Sequence, residues 1–150
     1  MYEPSLEAFA DKWNEVMPSI AREIARRQVN PLFRGKITLP QFIILEYLSR
    51  EEESKMTELA RVINVTTAAT TGIVDRLVRD GYVKRSYEPK DRRVVKIKLT
   101  AKGSEVLKKI NSQRHQMAMR IFDKITPHER DEYLRILLRI QDILIKENAA

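Results

Sequence analysis

Residues 56–85 read MTELARVINVTTAATTGIVDRLVRDGYVKR, and this stretch decides the fold. Thr57 is a residue of helix-capping type, and Leu59, Ala60 and Ile63 follow it at helical steps. Asn64 and Val65 break the pattern as a tight turn. Thr66 or Thr67 then opens a second helix that reaches about Asp80, with Ala69, Ile73, Val74 and Leu77 expected on its buried side. Gly81 stops that helix as a left-handed cap, and Tyr82 to Ser86 reads as a short strand.

The chain continues YEPKDRRVVKIKLT over residues 87–100. Tyr87 to Arg93 reads as a basic loop and Val94 to Leu99 as a second strand. Alternation puts Val95, Ile97 and Leu99 on one face and Lys96 and Lys98 on the other. Seven basic residues lie between Lys84 and Lys98 against Glu88 and Asp91 alone, so this hairpin carries +5 of the chain's net +7. A focused positive field of that kind attracts polyanions, whereas the plainer reading is a solvated basic face.

On the N-terminal side, Leu6, Phe9, Trp13, Val16, Ile20 and Ile24 predict one long amphipathic helix, with a kink or short break at Pro18. VNPLFRGK at 29–36 reads as a linker. Thr38 and Gln41 have capping-box spacing ahead of a helix to Ser49, and REEESK after it reads as a polar break. On the C-terminal side Thr100 caps a helix to about Lys124. Thr126-Pro127-His128-Glu129 starts a last helix that runs to about Glu147. That last helix carries two apolar stripes side by side, Tyr133, Leu137, Ile140, Leu144 and Leu134, Leu138, Ile145. A surface helix needs one stripe, so the terminal helices are expected to form a dimerisation layer, the plainer alternative being that the two ends pack on each other within one chain. The expected division is therefore 1–36 and 101–150 for that layer and 37–100 for a domain between its two parts.

Composition closes several other classes. The 150 residues hold no cysteine, which removes a disulfide framework, a thiolate metal site and a thiol redox sensor. No apolar run approaches a membrane span, and MYEPSLEAFADKW is not built like a secretory signal. A cytoplasmic protein without membrane attachment is expected. His115 and His128 fall on different helices, and no Gly-rich phosphate loop is present, so neither an enzyme, a bound metal nor a cofactor is expected.

The order helix, short helix, turn, helix, strand, basic loop, strand is that of a winged helix-turn-helix. The expected fold class is mainly α with a small β-hairpin wing and a helical layer formed by both termini. In this arrangement the helix after the turn enters the major groove of double-stranded DNA, and the wing reaches the backbone or minor groove. Thr66, Thr67, Ala68, Thr70, Thr71 and Arg76 are the candidate contacts on the helix. Arg85, Lys90, Asp91, Arg92, Arg93 and Lys96 are those on the wing. A winged-helix module for nucleic-acid architecture or protein interaction shares this element order and is the competing class.

The quoted stretch, followed by DRRVVKIKLTAKG, resembles the DNA-binding domain of the multiple antibiotic resistance regulator (MarR) family. The family pattern Asp-x-Arg, five residues, Leu-Thr is met by Asp91, Arg93, Leu99 and Thr100. The resemblance implies a homodimeric transcription regulator on a pseudo-palindromic operator, often a repressor of its own or neighbouring genes. It implies that Arg93 or Arg92 enters the minor groove and that Asp91 holds a basic residue of the wing in place. It also implies release by a small, often aromatic and anionic effector, for which Trp13, Met17 and Phe42 are the candidate contacts. Gly72 departs from the family, whose members often carry a longer polar side chain there.

Overall fold

A computed structural model describes residues 4–27 and 37–149. The segment read as a linker, VNPLFRGK, lies outside the described residues. The chain divides into two compact units, Met1–Ser104 and Glu105–Ala150.

In the first unit the elements run α1 (Leu6–Arg27), α2 (Leu39–Glu51), β1 (Glu53–Lys55), α3 (Met56–Ile63), α4 (Thr67–Arg79), β2 (Val83–Glu88) and β3 (Asp91–Leu99). Of the kink or short break expected at Pro18, the break is absent: helix α1 runs through it as one helix. Pro18 forgoes one backbone hydrogen bond, but the apolar register on either side of it is one register. Helix α2 starts as its sequence predicts. Thr38 Oγ1 accepts from the Gln41 amide at 3.4 Å, and Gln41 Oε1 accepts from the Thr38 amide at 2.9 Å.

Two boundaries ahead of α4 differ from those expected. REEESK is not a plain break: helix α2 continues to Glu51, and Glu53–Lys55 form a strand antiparallel to β3. The wing is therefore the outer hairpin of a three-stranded sheet ordered β1-β3-β2. Helix α3 begins at Met56, one residue before the expected cap at Thr57. Glu58 reaches back instead, accepting from the Lys55 amide at 3.1 Å and the Ser54 hydroxyl at 2.9 Å. Those two bonds, Ser54 first, hold the Glu58 carboxyl below its ordinary range.

The core of this unit is built by Ile44, Leu45 and Leu48 of α2, Leu59 of α3, Val74 and Leu77 of α4, Val83 of β2 and Ile97 of β3, all fully or almost fully buried. Each such side chain contributes roughly 1.5–3 kcal/mol by leaving water. Asn64 turns the chain between α3 and α4 in the left-handed region at φ 54°, and its amide bonds back to Ala60 and Arg61. Asparagine tolerates that region better than most residues.

Helix α5 (Ala101–Phe122) leaves the sheet through a close-packed corner. Thr100 caps it, accepting from the Gly103 amide at 3.0 Å and donating to Gly81 O at 2.6 Å. Gly103 has no spare room, because a Cβ there would lie 2.0 Å from Tyr82 O. We expect Gly103→Ala to cost about 2–3 kcal/mol of stability, since backbone must move to admit the methyl. A thermal melt would show Tm lower by roughly 5–10 °C; an unchanged melt would contradict the packing described.

The second unit holds most of α5 and all of α6 (Pro127–Ala149). Thr126 and Glu129 form the expected capping box, with Glu129 Oε2 accepting from the Thr126 amide at 2.7 Å. Arg130 adds a clasp by donating to Phe122 O at 2.8 Å and Ile125 O at 3.1 Å. Every described residue of α6 from Asp131 onward is exposed, including all of both apolar stripes. Helix α1 is likewise without a buried residue.

Candidate nucleic-acid interface

Helix α4 is short, capped and anchored on one side. Thr66 is its N-cap, with Oγ1 accepting from the Ala69 amide at 3.2 Å. Val74, Leu77 and Thr70 face the core. Thr66, Thr67, Ala68, Gly72 and Arg76 face outward, joined by Ala69, which the sequence pattern alone places inside. Thr70 is a correction. It is fully buried, and its hydroxyl donates to Thr66 O at 2.9 Å, so it has neither surface nor a proton for a base edge. The helical step from Val74 back to position 70 puts it on the core side, and a threonine satisfies its own hydroxyl there. Thr71 is half-buried and donates to Thr67 O at 2.9 Å in the same way, which leaves its methyl and an acceptor lone pair for other partners.

The wing differs from the sequence reading in a way that matters for its arginines. The loop expected over Tyr87–Arg93 is two residues long, Pro89 and Lys90, and both strands extend to meet it. The register breaks just before the turn. Tyr87 pairs with Val95, but the next residue, Glu88, pairs with Asp91. Arg92, Arg93 and Val94 thus bulge out of β3 with no counterpart on β2. A bulge of this kind bends a strand and re-aims its side chains. Asp91 fixes it by accepting from the Arg93 amide at 3.0 Å. The carboxylate expected to hold a guanidinium instead holds the backbone from which two guanidinium groups project. Lys90, Arg92 and Arg93 are exposed, and none forms an ion pair among the described residues.

Two wing residues named from the sequence are paired with carboxylates. Arg85 pairs with Asp75 of α4, so it braces the wing against the helix. Lys96 is half-buried between two carboxylates, Glu53 at 2.6 Å and Glu88 at 3.0 Å. Lys98 joins it on Glu53 at 3.0 Å. Position 96 shares a sheet face with Glu53 of the neighbouring β1, a strand that the sequence pattern does not reveal. Three residues are too few to display an alternation, so from sequence alone Glu53 reads as part of a solvated run. Asp75 carries a readable signal, an acid at helical step from the outward face and opposite a basic strand.

The hydrogen bonds from Lys96, then Lys98, lower the Glu53 pKa. The hydrogen bonds that Lys96 donates to Glu53, then to Glu88, raise its own pKa. A carboxylate with a depressed folded pKa lends stability above its unfolded pKa and loses it as pH falls through the folded value. Wild type should therefore melt higher than Glu53→Gln from neutral pH down to about pH 5, with the gap closing below the ordinary carboxylate range. A gap constant with pH would show that the pairing does not stabilise the sheet.

The effector candidates separate. Trp13 and Met17 lie one turn apart on the open surface of α1, 48% and 37% exposed. Phe42 is a correction: it is 8% exposed in the core of the winged domain, and so offers a ligand almost no surface. Among the described residues no group of three His, Asp or Glu side chains is close enough to hold a metal ion.

The fold and this surface define a winged helix-turn-helix protein. The profile of the MarR family matches residues 37–95. The HTH-type transcriptional regulator YfiV of Bacillus subtilis (strain 168) is 30% identical over 114 residues, 74% of this chain and 71% of that one. The crystal structure of RV1404 from Mycobacterium tuberculosis is 27% identical with a TM-score of 0.79, covering 95% of this chain and 96% of the other. That of the transcriptional regulator BldR from Sulfolobus solfataricus is 28% identical with a TM-score of 0.64, covering 93% and 99%. The chain belongs to the MarR family of transcription regulators.

Proposed function

We propose that this protein binds double-stranded DNA as a homodimer, at a pseudo-palindromic operator, and represses its own or neighbouring genes. The observation that carries the reading is the bulge that projects Arg92 and Arg93 beyond the sheet, on the wing braced to α4 by Arg85 and Asp75. A narrow, A·T-rich minor groove attracts a guanidinium at such a tip, while α4 lies in the neighbouring major groove. Arg76 and Lys90 suit phosphate binding. The exposed apolar faces of α1 and α6 support the dimer, since no monomer gains from so much apolar surface in water. This reading assigns residues 37–100 to DNA and both ends of the chain to the dimer layer. A cytoplasmic setting suits the role; no described helix is long and apolar enough to cross a membrane.

In the same reading, release follows from a small aromatic anion that meets the exposed Trp13 and Met17 of α1. Quenching of Trp13 fluorescence by phenolic acids would support it, and a broad panel without response would remove the effector.

The test of the main reading is selection from a random duplex pool followed by titration. The selected duplex should bind at least about 10³-fold tighter than random duplex at moderate salt. Equal binding of both would favour the competing architectural module.

A further inference from the structure

We propose that Gly72 sets base preference at the centre of the recognition helix, by letting the α4 backbone come against the 5-methyl group of a thymine. The inference rests on the DNA-binding reading above and deepens it.

Gly72 is the sixth of the thirteen residues of α4. Apart from proline, glycine is the least favourable residue in a helix interior, because it gives up the most conformational freedom. A structure usually shows why such a residue is present. Gly81 has φ +80°, and Gly103 would drive a Cβ into Tyr82 O. Gly72 has neither reason: its φ is not positive, and a Cβ built there meets nothing within 4 Å. Nothing among the described residues requires glycine at 72. The space it leaves opens outward, on the face that carries Ala68 and Arg76.

The neighbours narrow the chemistry of what fills that space. Ala68 and Ala69 are exposed and end in methyl groups. Thr71 has given its proton to Thr67 O and presents its methyl. Asp75, one turn on, is turned to Arg85 of the wing. The surface around Gly72 is thus apolar toward Ala68 and Ala69, with charge only on its C-terminal side at Asp75 and Arg76, and it is closely approachable. Of the groups that base edges show in the major groove, the thymine methyl is the one recognised by apolar packing. An alanine methyl at 72 would compete with the thymine methyl for the same volume.

The test uses the full chain, Gly72→Ala, and the duplex that wild type selects from a random pool. Thymines in that duplex are replaced one at a time by uracil, which lacks the methyl. Wild type should lose about three- to tenfold at one thymine in each half-site. Gly72→Ala should bind the thymine duplex at least about tenfold more weakly, and uracil at that same position should restore most of the loss. Its Tm should rise by a few degrees, because alanine favours the helix. Equal affinity of the two proteins for the thymine duplex, or uracil effects that are the same for both, would overturn the proposal while leaving the regulator reading intact. A fall in Tm would overturn it too, by showing that the fold itself needs the glycine. If wild type selects no sequence at all, the regulator reading fails and this inference with it.

Discussion

The variant Arg92→Ala/Arg93→Ala is expected to lose operator affinity by roughly a hundredfold or more, with its fold unchanged. The loss follows from geometry. Both side chains stand on residues that bulge out of the β3 ladder, both are exposed, and neither has an ion-pair partner among the described residues. Removing them leaves no unpaired charge and no cavity, so the melt should shift little. Each guanidinium that enters a groove or meets phosphate is worth roughly 1–3 kcal/mol. The dependence of log affinity on log salt should flatten by nearly one unit for each phosphate that is no longer neutralised, summed over both wings of a dimer. The two single variants would divide the effect between them. The bulge presents both residues, and the larger single loss identifies the one that enters the groove. By contrast, Arg85→Ala should act through the brace with Asp75, so Asp75→Ala should reproduce its effect. Affinity and salt slope unchanged in the double variant would remove the wing from the interface.

The second large effect is expected at α6. Leu137→Asp should raise the dimer dissociation constant by about a hundredfold and turn the protein monomeric at micromolar concentration. Leu137 lies in the middle of one of two adjacent apolar stripes that are open to solvent along the whole helix. A carboxylate at the centre of a buried interface must be desolvated without a partner, which is among the most costly changes an interface can suffer. The winged domain has its own core and should melt as before. Operator binding should nevertheless fall steeply, because two half-sites held by one dimer are linked through effective concentration and two monomers are not. Sedimentation of the variant reads the first effect, and titration against the selected duplex reads the second. A variant that still sediments as a dimer would place the interface elsewhere.

How much of the molecule is legible in its sequence depends on the length of each pattern. Helix α6 displays its stripes over 23 residues and carries a complete capping box, so both its start and its apolar face can be read. Thr38 and Thr100 are readable for the same reason, since a cap is a local bond between residues three apart. Strand β1 is not legible: its three residues form a strand only because β3 lies beside them. Everything that depends on β1 is hidden with it, including the pairing that ties Lys96 to Glu53. The bulge is hidden because register between two strands is a long-range property that neither strand shows alone. Composition marks Arg92 and Arg93 as a basic pair, and only the register shift explains why these two project. Thr70 shows the opposite limit. Residue type makes it a candidate for DNA, whereas the helical step from Val74 decides its place, and period outranks type on a helix this short.

A dimer of this kind would place two recognition helices on one face of DNA. Hydroxyl-radical footprinting of the selected duplex by the full chain tests it most directly. A helix-turn-helix dimer protects two half-sites whose centres are one turn of duplex apart, about 10–10.5 base pairs, or a whole multiple of that. The expected result is two equivalent protected segments at such a spacing, with additional protection in the minor groove flanking them that disappears in the Arg92→Ala/Arg93→Ala variant. A single protected segment, or protection spread evenly along the duplex, would contradict the account.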